Sequence, residues 1–163
     1  MSITFNADEI FAMAVEIEQN GAKFYRKAAE NAATNKIKEM LLGMATMEDG
    51  HEAGFKAMRE ELTDADKEQI TFDPEGEAEL YLQDMADWHG TEGKKSIDAE
   101  LTGNESIQEI LKVAINAEKD SIVFYLSMKK LVPSQANKDK VDGIIAEEIG
   151  HITLLENQLA QLG

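Results

Sequence analysis

Two four-residue stretches, Glu48-Asp49-Gly50-His51 and Glu148-Ile149-Gly150-His151, lie 100 positions apart and constrain the fold more than any other feature of the chain. Residues three apart share one face of a helix, so each stretch aims a carboxylate and an imidazole at the same place. The chain has three histidines, and two of them stand in these stretches. The correspondence extends well beyond them. Residues 14–59 align over 114–159 without a gap, matching Ala14/Ala114, Glu18/Glu118, Phe24/Phe124, Tyr25/Tyr125, Lys38/Lys138, Gly43/Gly143, Glu48/Glu148, Gly50/Gly150 and His51/His151. Nine identities in 46 positions are weak as raw similarity, but they include the Glu, His and Tyr residues on which the chemistry turns. A unit this long that occurs only twice is not a solenoid repeat. It describes two helical hairpins related by a pseudo-two-fold axis.

The helices follow from capping signals and heptad-like spacing. Asn6 with Glu9 three residues later forms a capping box, predicting a first helix over about 7–31. Its seam is Ala14, Glu18, Gly21, Tyr25 and Ala28. A second helix is expected over about 36–61, with seam Leu41, Met44, Glu48, His51, Phe55 and Met58. Thr102 with Glu105, or Asn104, marks the start of a third over about 105–131, with seam Ala114, Glu118, Ser121, Tyr125 and Met128. Pro133 ends it, and Ser134 or Gln135 opens a fourth to about 161, with seam Val141, Ile144, Glu148, His151, Leu155 and Gln158. Between them, 62–104 is too long for a turn and suits a crossover running the length of a bundle. Asp73-Pro74 predicts a short helix inside it, reaching about Trp88. The fold class is therefore all-α, a four-helix bundle in one domain of 163 residues.

Composition agrees and excludes several functions. Two prolines and abundant Ala, Glu, Leu and Lys favour helix. Zero cysteine removes disulfides, thiolate metal sites and a thiol nucleophile. A net charge of −16 argues against nucleic acid and anionic membranes as partners. No apolar run reaches membrane-spanning length, and Met1 to Gln19 lacks the basic residues of a signal peptide, so the expected location is the cytoplasm.

Four glutamates and two histidines on otherwise apolar faces need a partner, because buried carboxylates repel one another and take up protons. Two divalent cations supply it. A lone Glu-x-x-His is more often a solvated helix turn or a core histidine, but both motifs with Glu18 and Glu118 make a six-residue ligand set: Glu18, Glu48, His51, Glu118, Glu148 and His151. Glu48 and Glu148 are expected to bridge two ions, with His51 and His151 capping one each. Oxygen and imidazole donors suit iron, with manganese or zinc as substitutes. Tyr25 and Tyr125, seven residues after a ligand glutamate, are expected to hydrogen-bond the ligands and orient them, the alternative being plain core aromatics. Glu147 competes with Glu148, but only Glu148 has a histidine at plus three. Gly50 and Gly150 read as sites of close packing, as room beside a ligand or as tolerated defects, and His89 as structural or surface.

On Glu18…Tyr25, Glu48-x-x-His51, Glu118…Tyr125 and Glu148-x-x-His151, across about 6–61 and 104–160, the chain resembles the rubrerythrin family of ferritin-like di-iron carboxylate proteins. The resemblance implies a ferritin-like bundle with two iron ions that reduces hydrogen peroxide, or O2. Two departures are visible. Full-length rubrerythrins carry a cysteine-bound iron in a rubredoxin domain, so this cysteine-free chain is expected to take electrons from an external protein such as a rubredoxin. Such rubrerythrins also place an extra Glu one turn after the third-helix ligand, where this chain has Ser121. The competing readings are iron handling by a ferroxidase or reservoir, and a structural or sensor bundle. An apolar outer face leads to the expectation of a homodimer, with or without swapped helices, whereas iron storage needs a cage.

Overall fold

The computed structural model describes residues 5–68 and 101–163. The described residues form five helices: α1 (Ala7–Glu30), α2 (Asn35–Glu60), a short α3 (Asp64–Glu68), α4 (Ile107–Lys129) and α5 (Gln135–Leu162). The expected short helix from Asp73-Pro74 to Trp88, and His89, lie outside the described residues. No described helix is long and apolar enough to cross a membrane.

The caps explain where the helices begin. Asn6 accepts from the Glu9 amide at 2.9 Å, and Glu9 accepts from the Asn6 amide at 2.9 Å, which is the reciprocal box expected for α1. Thr34 and Ser134 cap α2 and α5 through the amides of Ile37 and Asn137. The start of α4 departs from expectation. Thr102 and Glu105 do pair, with Glu105 accepting from both the amide and the hydroxyl of Thr102, but they close a turn. Gly103 takes φ +90°, a left-handed conformation that breaks any helix passing through it. The working cap is the next box along, Ser106 with Glu109, so α4 starts at Ile107.

Two apolar clusters show how the four long helices run. One joins Ile10, Phe11 and Ala14 of α1 to Phe55 and Met58 of α2, Tyr125 and Met128 of α4, and Val141 and Ile144 of α5. The other joins Phe24, Tyr25 and Ala28 of α1 to Leu41 and Met44 of α2, Leu111 and Ala114 of α4, and Leu155 of α5. Hence α1 and α5 run from the first cluster to the second, while α2 and α4 run back. Because α2 and α4 run the same way, α2 ends and α4 begins at opposite ends of the bundle. Leu62 belongs to the first cluster and Leu101 to the second, so the two described ends of the 62–104 segment sit at opposite ends. A 26-residue helix is about 39 Å long, the distance a short turn cannot cover. Outside the core, Arg59 clamps the end of α2 to the start of α1 with two bonds to Asp8, at 2.8 and 2.9 Å.

Candidate metal centre

Between the two apolar clusters lies a polar layer. Glu18, Glu48, His51, Glu118, Glu148 and His151 are each at most 4% exposed. Their donor atoms fall into two groups, each within 4.8 Å: Glu18, Glu48, His51 and Glu148, and Glu48, Glu118, Glu148 and His151. Glu48 and Glu148 belong to both. Nδ1 of His51 lies 2.9 Å from Oε1 of Glu148 and 3.4 Å from Oε2 of Glu18. Nδ1 of His151 lies 2.9 Å from Oε2 of Glu148, 3.2 Å from Glu48 and 3.5 Å from Glu118. The two rings stack with centroids 5.5 Å apart. All six residues singled out from spacing are thus brought together.

The tyrosines meet the layer crosswise. Tyr25 does not serve the glutamate of its own helix; its hydroxyl donates to Glu118 at 2.5 Å. Tyr125 donates to Glu18. Each hairpin therefore buries a carboxylate whose donor comes from the other hairpin. Tyr125→Phe keeps the ring packing against Phe55, at 4.9 Å, and removes only that donor. Because Glu18 is fully buried, the loss is expected to cost the metal-free protein about 1–3 kcal/mol. Urea unfolding checks this; an unchanged midpoint would show that the hydroxyl contributes nothing to the fold.

Electrostatics describe a layer that resists its own charge. Burial pushes the Glu18 and Glu118 carboxyls well above the usual range. Burial opposes charge on the imidazoles, but the close carboxylates of Glu148 and Glu18 outweigh it and raise His51 to about 11. At His151 the close carboxylates of Glu118, Glu148 and Glu48 outweigh it in the same way, raising the ring to about 12. Glu148 faces burial too, yet close contact with Glu118 and with both histidines holds it below the usual carboxylate value. Burial also raises both tyrosines, so they remain hydrogen-bond donors.

The residues fit two divalent cations. Oε2 of Glu18, Oε1 of Glu48, both oxygens of Glu148 and Nδ1 of both histidines are buried without a hydrogen-bond partner among the described residues. Buried polar atoms left this way are costly unless something else binds them. Four carboxylates and two neutral imidazoles carry a charge of −4, which two dications cancel.

Several details escaped the spacing argument. Gly21 approaches the layer most closely, since a Cβ there would meet Oε2 of Glu48 at 3.0 Å. Gly50 and Gly150 face open space, which rules out close packing as their role. Gly21 and Ser121 flank a small cavity between α1 and α4, about 20 Å³, bordered by Tyr25, Glu48 and Glu118. Ser121 turns its hydroxyl back to the Ala117 carbonyl at 3.0 Å. Asp120, part-buried, joins neither donor group. Glu147 stays out of both groups as well, but accepts from Nε2 of His51 at 2.7 Å.

The sequence model describing rubrerythrin matches residues 9–100, more than half of the chain. The chain belongs to the rubrerythrin family. Among solved structures, one described as a ferritin-like diiron-carboxylate protein from Thermotoga maritima matches with a TM-score of 0.78 and 22% identity, covering 98% of each chain. A hypothetical protein from Pyrococcus furiosus matches with a TM-score of 0.69 and 22% identity, covering 97% of this chain and 90% of that one. These likenesses establish the ferritin-like fold for this rubrerythrin-family chain. No curated protein matches its sequence.

Proposed function

We propose that the protein is a di-iron oxidoreductase that reduces hydrogen peroxide, or O2, using electrons from an external donor such as a rubredoxin. The observation that carries the reading is the pair of overlapping four-donor groups sharing Glu48 and Glu148. Glu18 and His51 would complete one iron site, Glu118 and His151 the other, with Glu48 and Glu148 between them. Iron bound there would supply electrons and open coordination positions for an oxygen substrate. The chain's own contribution is to hold the donors, exclude bulk water with apolar layers on both sides, and orient carboxylates through Tyr25 and Tyr125. The cavity beside Glu48 and Glu118 is large enough for a molecule about the size of water, which favours a small oxidant over a bulky one. Reduction of peroxide to two waters takes two electrons and two protons per turnover.

The test is to load the protein with Fe(II) anaerobically, add peroxide, and supply several reductants, including a reduced rubredoxin. Many equivalents of peroxide should be consumed per protein. One stoichiometric oxidation with every reductant would overturn the peroxidase reading. The presence of Ser121, whose hydroxyl is spent on its own helix, favours iron oxidation for handling as the second reading. A storage role then requires a cage. Val123 and Leu126, exposed on α4, favour a homodimer instead, and sedimentation separates the two.

A further inference from the structure

The two halves of the centre differ at the outer imidazole nitrogens. Nε2 of His51 donates to Oε2 of Glu147 at 2.7 Å. Nε2 of His151 is buried and has no hydrogen-bond partner among the described residues. The internal repeat accounts for the difference. Position 147 corresponds to position 47, where the first hairpin has Met47. A thioether is a weak acceptor, so among the described residues the second histidine has no counterpart of Glu147.

We infer that Glu147 makes the two metal positions unequal, so that the one formed with His51 and Glu18 binds its ion more tightly and fills first. The inference rests on the two-metal reading above and deepens it. A carboxylate that accepts from Nε2 keeps the proton on that nitrogen, so that an ion held by Glu18 and Glu148 would displace only the Nδ1 proton and meet its lone pair. The same bond fixes the ring orientation and strengthens the imidazole as a ligand. At His151 no described residue selects that tautomer, so the ion itself must do so, and affinity falls by that cost. Glu147 is a positioning residue. Its side chain is 64% exposed and joins neither donor group, so changing it spares the core and removes none of the six donors.

The test is an anaerobic titration of the metal-free full chain with Co(II), followed by calorimetry and by the visible absorption of the bound ion. Two resolved steps are expected, with dissociation constants about 10–100-fold apart. Glu147→Ala should weaken the first step and merge it with the second, while Met47→Glu should tighten the second. Two ions bound with equal affinity in the unaltered protein, or a Glu147→Ala isotherm that superimposes on it, would overturn the inference and leave the two-metal reading standing. Failure to bind Co(II) at all would overturn both.

Discussion

Glu148→Ala is expected to remove both metal ions, whereas Glu18→Ala should leave about half of the metal bound. The difference follows from membership. Glu148 belongs to both donor groups, Glu18 to one. Glu148 is also fully buried and lies 2.9 Å from Nδ1 of each histidine, so no neighbouring carboxylate can replace it without moving a helix. Metal analysis after anaerobic loading reads the result directly. The metal-free variant should be weakened as well. Removing one partner from a buried charged network costs about 3–5 kcal/mol, because the remaining charges keep their desolvation without their counter-charge. Here both imidazoliums lose the carboxylate nearest their Nδ1 atoms. Denaturant unfolding of the metal-free proteins separates this effect from metal loss. Retention of two ions by Glu148→Ala would eliminate the shared-bridge arrangement.

Alkali is expected to destabilise the metal-free protein and to leave the metal-loaded protein unchanged. In the metal-free layer His51 and His151 are raised from 6.5 to about 11 and about 12. A group with a raised folded pKa stabilises fully below its unfolded pKa and loses that contribution as pH climbs through the folded value. The raised carboxyls of Glu18 and Glu118 act in the same direction from 4.5 upward. Glu148 is depressed and acts the other way, but only as pH falls below 4.5. The metal-free melting temperature should therefore fall steadily from pH 6.5 to 9. Metal ligation requires deprotonated donors, so the loaded protein gains stability as pH rises to 6.5 and holds it above. Thermal melts with and without chelator across pH 5 to 9 test both slopes. Calorimetry in buffers of different ionisation enthalpy should also show protons released as each ion binds. A metal-free protein that grows more stable between pH 6.5 and 9 would contradict the protonated histidines.

Much of this architecture was legible in order along the chain. The four long helices lie within a few residues of their expected bounds, because caps such as Asn6 with Glu9 are local and apolar seams repeat with helical period. The start of α4 was read too early for a local reason. Thr102 with Glu105 and Ser106 with Glu109 are both Ser/Thr-x-x-Glu signatures, and the backbone angle at Gly103 decides between them. The crossover was legible from length alone, and the positions of Leu62 and Leu101 at opposite ends of the bundle agree with it.

The repeated Glu-x-x-His turns, with Glu18 and Glu118, were sufficient to nominate the six donors, because three-residue spacing on a helix makes two side chains share a face regardless of what lies opposite. What lies opposite was decided by tertiary structure. The crossing of Tyr25 to Glu118 and Tyr125 to Glu18, the approach of Gly21 to Glu48, and the bond from His51 to Glu147 join residues 27 to 107 positions apart. Such pairs depend on the rotation and axial offset of one helix against another, which side-chain packing sets and helical period does not encode.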